Sequence, residues 1–166
     1  MKVNKSIHVA LLSILTAQLL KIPIHYLKTG KWNPNVMIQT GGMPSSHSAG
    51  VSALTTFIGL KRGISTIDFA LAFVFGIIVM YDAQGVRRQT GELTLKVNNL
   101  DEFVRKTHEH EKIPFETTNT MPLKEMLGHK LEEVIGGALL GVVLGNLGHL
   151  FTKKDRRAAS KRVKYR

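Results

Sequence analysis

The chain has 166 residues, the size of one domain, so a single apolar core is all it needs to build. It contains no cysteine, which excludes disulfides, thiolate-held zinc, iron–sulfur clusters and a cysteine nucleophile. Its net charge of +11 asks for an anionic partner, and eight of the 23 basic residues fall in the last fourteen positions, Lys153 to Arg166, opposed there only by Asp155.

In chain order, Ile7 to Leu27 is a mostly apolar run long enough to cross a bilayer at a rise of about 1.5 Å per residue. No small-residue cleavage site follows it and Lys21 interrupts it, so it is not a signal peptide. The second run, Pro44 to Leu60, and the third, Thr66 to Tyr81, are short for spans and are separated tightly by Lys61, Arg62 and Gly63, which predicts an antiparallel helical hairpin. Ser65 with Asp68 three residues later resembles a capping box opening the third helix.

A long polar region runs from Asp82 to Glu133. Within it Leu93, Val97, Leu100 and Val104 recur at helical spacing, predicting an amphipathic helix on the bundle or the membrane interface, and the HEHEK segment at 108–112 is expected to be a loop. Its His108 and His110 with Glu109 and Glu111 could bind a metal, but such alternation is more often solvated, and no metal is assigned. The fourth apolar run, Val134 to Phe151, carries Gly137, Gly141 and Gly145 at intervals of four, a smooth ridge for close helix packing that could also serve a homo-oligomer.

These runs define an all-α fold, an integral membrane helical bundle of about four transmembrane helices plus an amphipathic helix in the long third loop. Residues 1–152 form the bundle and 153–166 a basic cytoplasmic tail, an arrangement typical of an anchor against anionic membrane lipids; a solvated tail touching nucleic acid is the competing reading, and no nucleic-acid partner is assigned. The expected location is the cell membrane, multi-pass, with both termini cytoplasmic. Twelve basic residues fall on that side and 11 on the other, so their concentration in short flanks decides the orientation.

Four spans place the unusual polar residues at one membrane face. Lys21 lies near the far end of the first helix, His47 at the start of the second, Asp82, Arg87 and Arg88 just past the third, and His129 with Glu133 at the start of the fourth. A cation inside an apolar helix needs an anionic partner or ligand, or a route for snorkelling to the headgroups. Gly41-Gly42-Met43-Pro44-Ser45-Ser46-His47-Ser48 combines chain-reversing glycines, proline at the expected first helical position, and serines beside unpaired helix-start amides, which is either an anion site or a well-capped helix. Arginine forks suit phosphate oxygens and Asp82 can orient one of them; as interfacial anchors they would need no ligand. His129 and Glu133, four apart, share a face, and a carboxylate on one imidazole nitrogen raises the nucleophilicity of the other.

Three segments, GGMPSSHSA at 41–49, IVMYDAQGVRR at 78–88 and LKEMLGHKLEEVIGGALLG at 123–141, resemble the divergent branch of the type 2 phosphatidic acid phosphatase and vanadium-dependent haloperoxidase superfamily. Pro44-Ser45-Ser46-His47 is similar to its proline-serine-glycine-histidine motif with serine for glycine, and His129 with Glu133 to its histidine and acid with glutamate for aspartate. Lys21 is the nearest match to the motif lysine, without an arginine-proline companion, and no arginine lies six residues before His129.

The resemblance implies a membrane phosphatase for a phosphorylated lipid or small phosphomonoester. In that scheme His129 is the nucleophile, Glu133 orients it, and His47 is the general acid and base. Lys21, Ser45, Ser46, Arg87 and Arg88 bind phosphate, with Asp82 orienting an arginine. The scheme uses no cofactor and no metal. A non-catalytic protein that keeps a phosphate or headgroup pocket is the alternative, and a vanadium haloperoxidase ranks below both.

Overall fold

A computed structural model describes residues 4–39, 41–111, 123 and 128–164, the helical residues 108–111 and 154–164 by their backbone alone. Its elements are helices α1 (Lys5–Thr29), α2 (Ser46–Arg62), α3 (Ile67–Gln84), α4 (Val86–Glu111) and α5 (Leu131–Lys164), with a short 3₁₀ turn, Pro34–Met37, between the first two. No strand occurs among the described residues.

The residue types are arranged inside out. On α1, Ser13, Ala17 and Lys21 follow one another at intervals of four and are buried, while Leu11, Leu12, Leu15 and Leu19 face outward. On α3 the buried positions are Gly76 and Ala83, and Leu71, Val74, Phe75 and Ile78 are exposed. A water-soluble bundle would hide the large apolar side chains first; small residues between helices and large ones outside is the solution for a chain dissolved in lipid. Helices α1 and α5, and the stretch from 67 to 107 that contains α3, are long and apolar enough to cross a membrane.

Helix α2, with 17 residues, is shorter and is packed by α1, α3 and α5. It buries Ser46, Ser48, Ala49, Gly50, Ala53 and Phe57. The glycine ridge of α5 meets it directly: a Cβ on Gly137, Gly141 or Gly145 would collide with the carbonyl oxygen of Ser45, Ala49 or Ala53 respectively. The ridge thus packs within the chain, against α2. On the other flank the Thr55 hydroxyl is shared between its own helix at the Val51 carbonyl (2.8 Å) and the Ala72 carbonyl of α3 (3.1 Å), tying the hairpin together.

Several local expectations need correction. Thr66, not Ser65, caps α3, its hydroxyl accepting from the Phe69 amide at 3.3 Å, while Asp68 turns to Arg62 at 3.2 Å. Pro44 stands before the N-cap Ser45 rather than at the first helical position. Backbone helix continues through residues 108–111, so this part of HEHEK is not a loop; the side chains of 108–111 and all of Lys112 lie outside the described residues. Apart from these corrections, helix α5 extends to Lys164. The amphipathic helix is present as α4, its Leu93, Val97 and Leu100 exposed along one side.

Candidate functional site

Helices α1, α2 and α5 and the junction of α3 with α4 each bring one or more of the selected polar residues to the same end of the bundle. The loop after α1 reaches α2 through Gly41 and Gly42, both with φ near +80° (79° and 81°), a conformation that residues with a Cβ rarely adopt. Their left-handed turns lay the loop over Lys21, whose Nζ donates to the Gln39 carbonyl at 3.1 Å. Lys21 is only 4% exposed, and its methylenes approach Gly42. It therefore takes a loop carbonyl as partner instead of reaching for headgroups.

His129 sits one residue before the N-cap of α5 and is 3% exposed. Its Nδ1 lies 3.1 Å from Glu133 Oε2, and the same oxygen accepts the Lys130 amide at 3.2 Å. Glu133 thereby closes the open first turn of its helix and orients the imidazole at once, and a carboxylate at Nδ1 favours the tautomer with its proton there. Burial pushes the His129 pKa below the ordinary 6.5, against the hydrogen bond and charge of Glu133, which favour the protonated ring; Lys21 adds to the lowering, and the backbone of Gly42 opposes it.

The His47 and His129 rings meet edge to face with centroids 5.8 Å apart. His47 is exposed, and Arg87, Lys21 and Asp82 are all close enough to act on it electrostatically. Asp82 holds Arg87 by an ion pair of 2.8 Å across the break at Gly85. Arg88 instead pairs with Glu92 along α4 at 3.0 Å. Of the two arginines, Arg87 belongs to the histidine cluster.

The segment before His129 meets the α3–α4 junction by backbone contact. A Cβ on Gly128 would collide with the backbone of Arg87 and Arg88, and the His129 amide donates to the Ala83 carbonyl at 3.0 Å. Glycine at 128 lets the approach to α5 lie flat on the α3–α4 junction. Position 123, six residues before the histidine, is an exposed leucine.

The two serines are placed differently from each other. Ser45 is fully buried; its hydroxyl caps α2 by accepting from the Ser48 amide (3.4 Å) and hydroxyl (3.1 Å), and its own amide donates to the Glu133 carbonyl at 3.0 Å. With its amide bonded to Glu133 and its hydroxyl accepting twice from Ser48, Ser45 is a joint between α2 and α5. Ser46 is buried, and its amide and that of His47 meet no acceptor among the described residues.

Beside the cluster opens a cavity of about 260 Å³ whose walls include Lys21, His25, Lys28, Gln39, Gly42 and Glu133. Neither imidazole lines it, but Glu133 and Gly42 both interact with His129. Lys28, Gln39 and Gly128 went unselected in the sequence. Lys28 recurs seven residues after Lys21 on one helical face, the single usable signal; nothing local marks Gln39, which acts through its backbone.

Residues 2–144 match the family model described as Divergent PAP2 family. The chain belongs to that family. A Bacillus subtilis (strain 168) relative described as "Uncharacterized membrane protein YuiD" is 41% identical over 138 residues, covering 81% of this chain and 87% of its own. No solved structure matches. The divergent PAP2 family match spans all the clustered residues, from Lys21 to Glu133, and the membrane relative agrees with the outward-facing apolar residues.

Proposed function

We propose that this divergent PAP2 protein is a membrane phosphatase that hydrolyses a lipid or membrane-adjacent phosphomonoester through a phosphohistidine. The observation that carries the reading is the pairing of a carboxylate-bonded, buried His129 with a second imidazole 5.8 Å away, beside Lys21 and Arg87. His129 Nε2 attacks phosphorus as the bond to the alcohol oxygen breaks, and Glu133 balances the charge that develops on the ring. His47 gives its proton to the leaving alkoxide, then takes one from the water that releases phosphate and frees His129. Lys21, Arg87 and the first-turn amides of Ser46 and His47 neutralise the equatorial oxygens, the largest electrostatic demand of phosphoryl transfer.

In this reading the protein lies in the cell membrane with both termini on the cytoplasmic side, residues 1–152 being the bundle and 153–166 the basic segment beyond it. The near-complete covering of His129 also suits a second reading, a non-catalytic protein that binds phosphate or a headgroup. The deciding experiment presents the purified chain and its His129→Ala variant with a panel of radiolabelled lipid phosphates. Phosphate release by the parent alone, with acid-labile label trapped on the chain, is the expected result. Equal release by the variant overturns the nucleophile, and binding without release selects the second reading.

A further inference from the structure

At the end of the bundle away from the histidines, the N-terminus of α1, the C-terminus of α2 and the N-terminus of α3 enclose a second cavity, of about 690 Å³. Asn4 and Ser6, Lys61 and Arg62, and Asp68 supply its polar walls, and Phe57, Ile58 and Leu71 its apolar ones. Asp68 steadies Arg62 at 3.2 Å. Lys61 has no acidic partner among the described residues; its Nζ lies 5.1 Å above the centre of the Phe57 ring. Helix α5 leaves the bundle at the same end, where His149 meets Phe57 edge-on and Gly148 packs on Val9.

The charge is divided very unevenly between the two ends. The described segments at this end, 4–6, 61–68 and 152–164, hold ten of the 23 basic residues and two of the 12 acidic ones, a net charge of +8 out of the chain's +11. The remaining described residues, nine basic and eight acidic, are nearly neutral together. Such a field, next to a cavity that is polar on one side and apolar on the other, suits a molecule with an anionic head and hydrocarbon behind it.

We propose that this cavity is a binding site for the headgroup of an anionic phospholipid, independent of any reaction at the histidines. Lys61 and Arg62 contact the lipid phosphate, and the exposed Leu71 on α3 lines the way for the acyl chains. The lipid would bridge α1 to the α2–α3 hairpin at the membrane surface.

The test uses the full chain purified in mild detergent, exchanged against phosphatidylglycerol or phosphatidylcholine, with bound lipid counted by native mass spectrometry. Phosphatidylglycerol should be retained in preference, and Lys61→Gln and Arg62→Gln should each lower its retention about fivefold, the value of one basic residue at an anionic surface. Lys96→Gln, on α4, serves as the control and should retain the parent's lipid. Lys61 is exposed and bonds to no backbone, so Lys61→Gln keeps the fold, which circular dichroism checks. Equal retention of the two lipids, equal retention by parent and Lys61→Gln, or displacement of the lipid by inorganic phosphate at matched concentration would each overturn the site.

Discussion

Gly128 rests on the peptide between Arg87 and Arg88, so that the residue preceding His129 touches the arginines with no side chain between them. Adding one methyl should separate the two segments. Gly128→Ala is expected to lower kcat/KM for an aryl phosphate by up to about a hundredfold, the scale of a 1 Å misplacement of reacting groups. Kinetics beside a melting curve check it: unchanged kcat/KM would show that this contact does not set the site.

The two arginines should separate in effect. Arg87 is oriented by Asp82 beside His47, whereas Arg88 is turned along α4 to Glu92. Arg87→Ala should weaken vanadate or phosphate inhibition about tenfold or more, as loss of one charge-assisted hydrogen bond does. Arg88→Ala should change it little; the reverse order would reassign the arginine.

Much of this was legible in advance. Lys21, His47, Asp82, Arg87, His129 and Glu133 follow from their places at the ends of apolar runs, because membrane helices alternate direction and bring those ends together. What was not legible depends on backbone groups. The Gln39 carbonyl satisfies Lys21, the Ala83 carbonyl holds the His129 amide, and the Glu133 carbonyl takes the Ser45 amide. A carbonyl carries no mark of residue type, so no sequence pattern announces these bonds. Ser45 was legible both as an anion ligand and as a helix cap, and its hydroxyl forms the cap.

The His129–Glu133 pair predicts a pH profile. With its folded-state pKa below 6.5, His129 remains neutral on mild acidification, while in the unfolded chain it gains a proton near 6.5. Its contribution to stability is therefore full above 6.5 and is lost as pH falls from there through the lower folded value. The acid limb of kcat/KM set by this group should likewise lie below 6.5. Glu133→Gln removes the charge that favours the imidazolium and should shift that limb to still lower pH, with kcat reduced between about tenfold and a hundredfold, since hydrogen bonds to charged groups are worth ~1.5–3 kcal/mol. Glutamine can still cap the helix, so melting at pH 8 should barely change. A limb at or above 6.5 in the parent would contradict the assignment.

Gly141 tests the packing independently of any chemistry. Its missing side chain admits the Ala49 carbonyl, and Ser52 is also in contact range. Gly141→Ala should destabilise the bundle by about 1–3 kcal/mol, as overpacking a close contact does. Leu139→Ala, at an outward-facing position, should cost less than about 0.5 kcal/mol. Melting temperatures in detergent read both, and equal shifts would argue against the α2–α5 seam.

Helix α5 begins two residues after the imidazole and continues for 34 residues. At about 1.5 Å each this is a rod of roughly 51 Å, against a hydrocarbon layer of about 30 Å. The helix is therefore longer than the hydrocarbon layer is thick, by about 20 Å. The first turn that carries the carboxylate aligning His129 and the basic end at Lys164 are thus joined by one uninterrupted length of backbone.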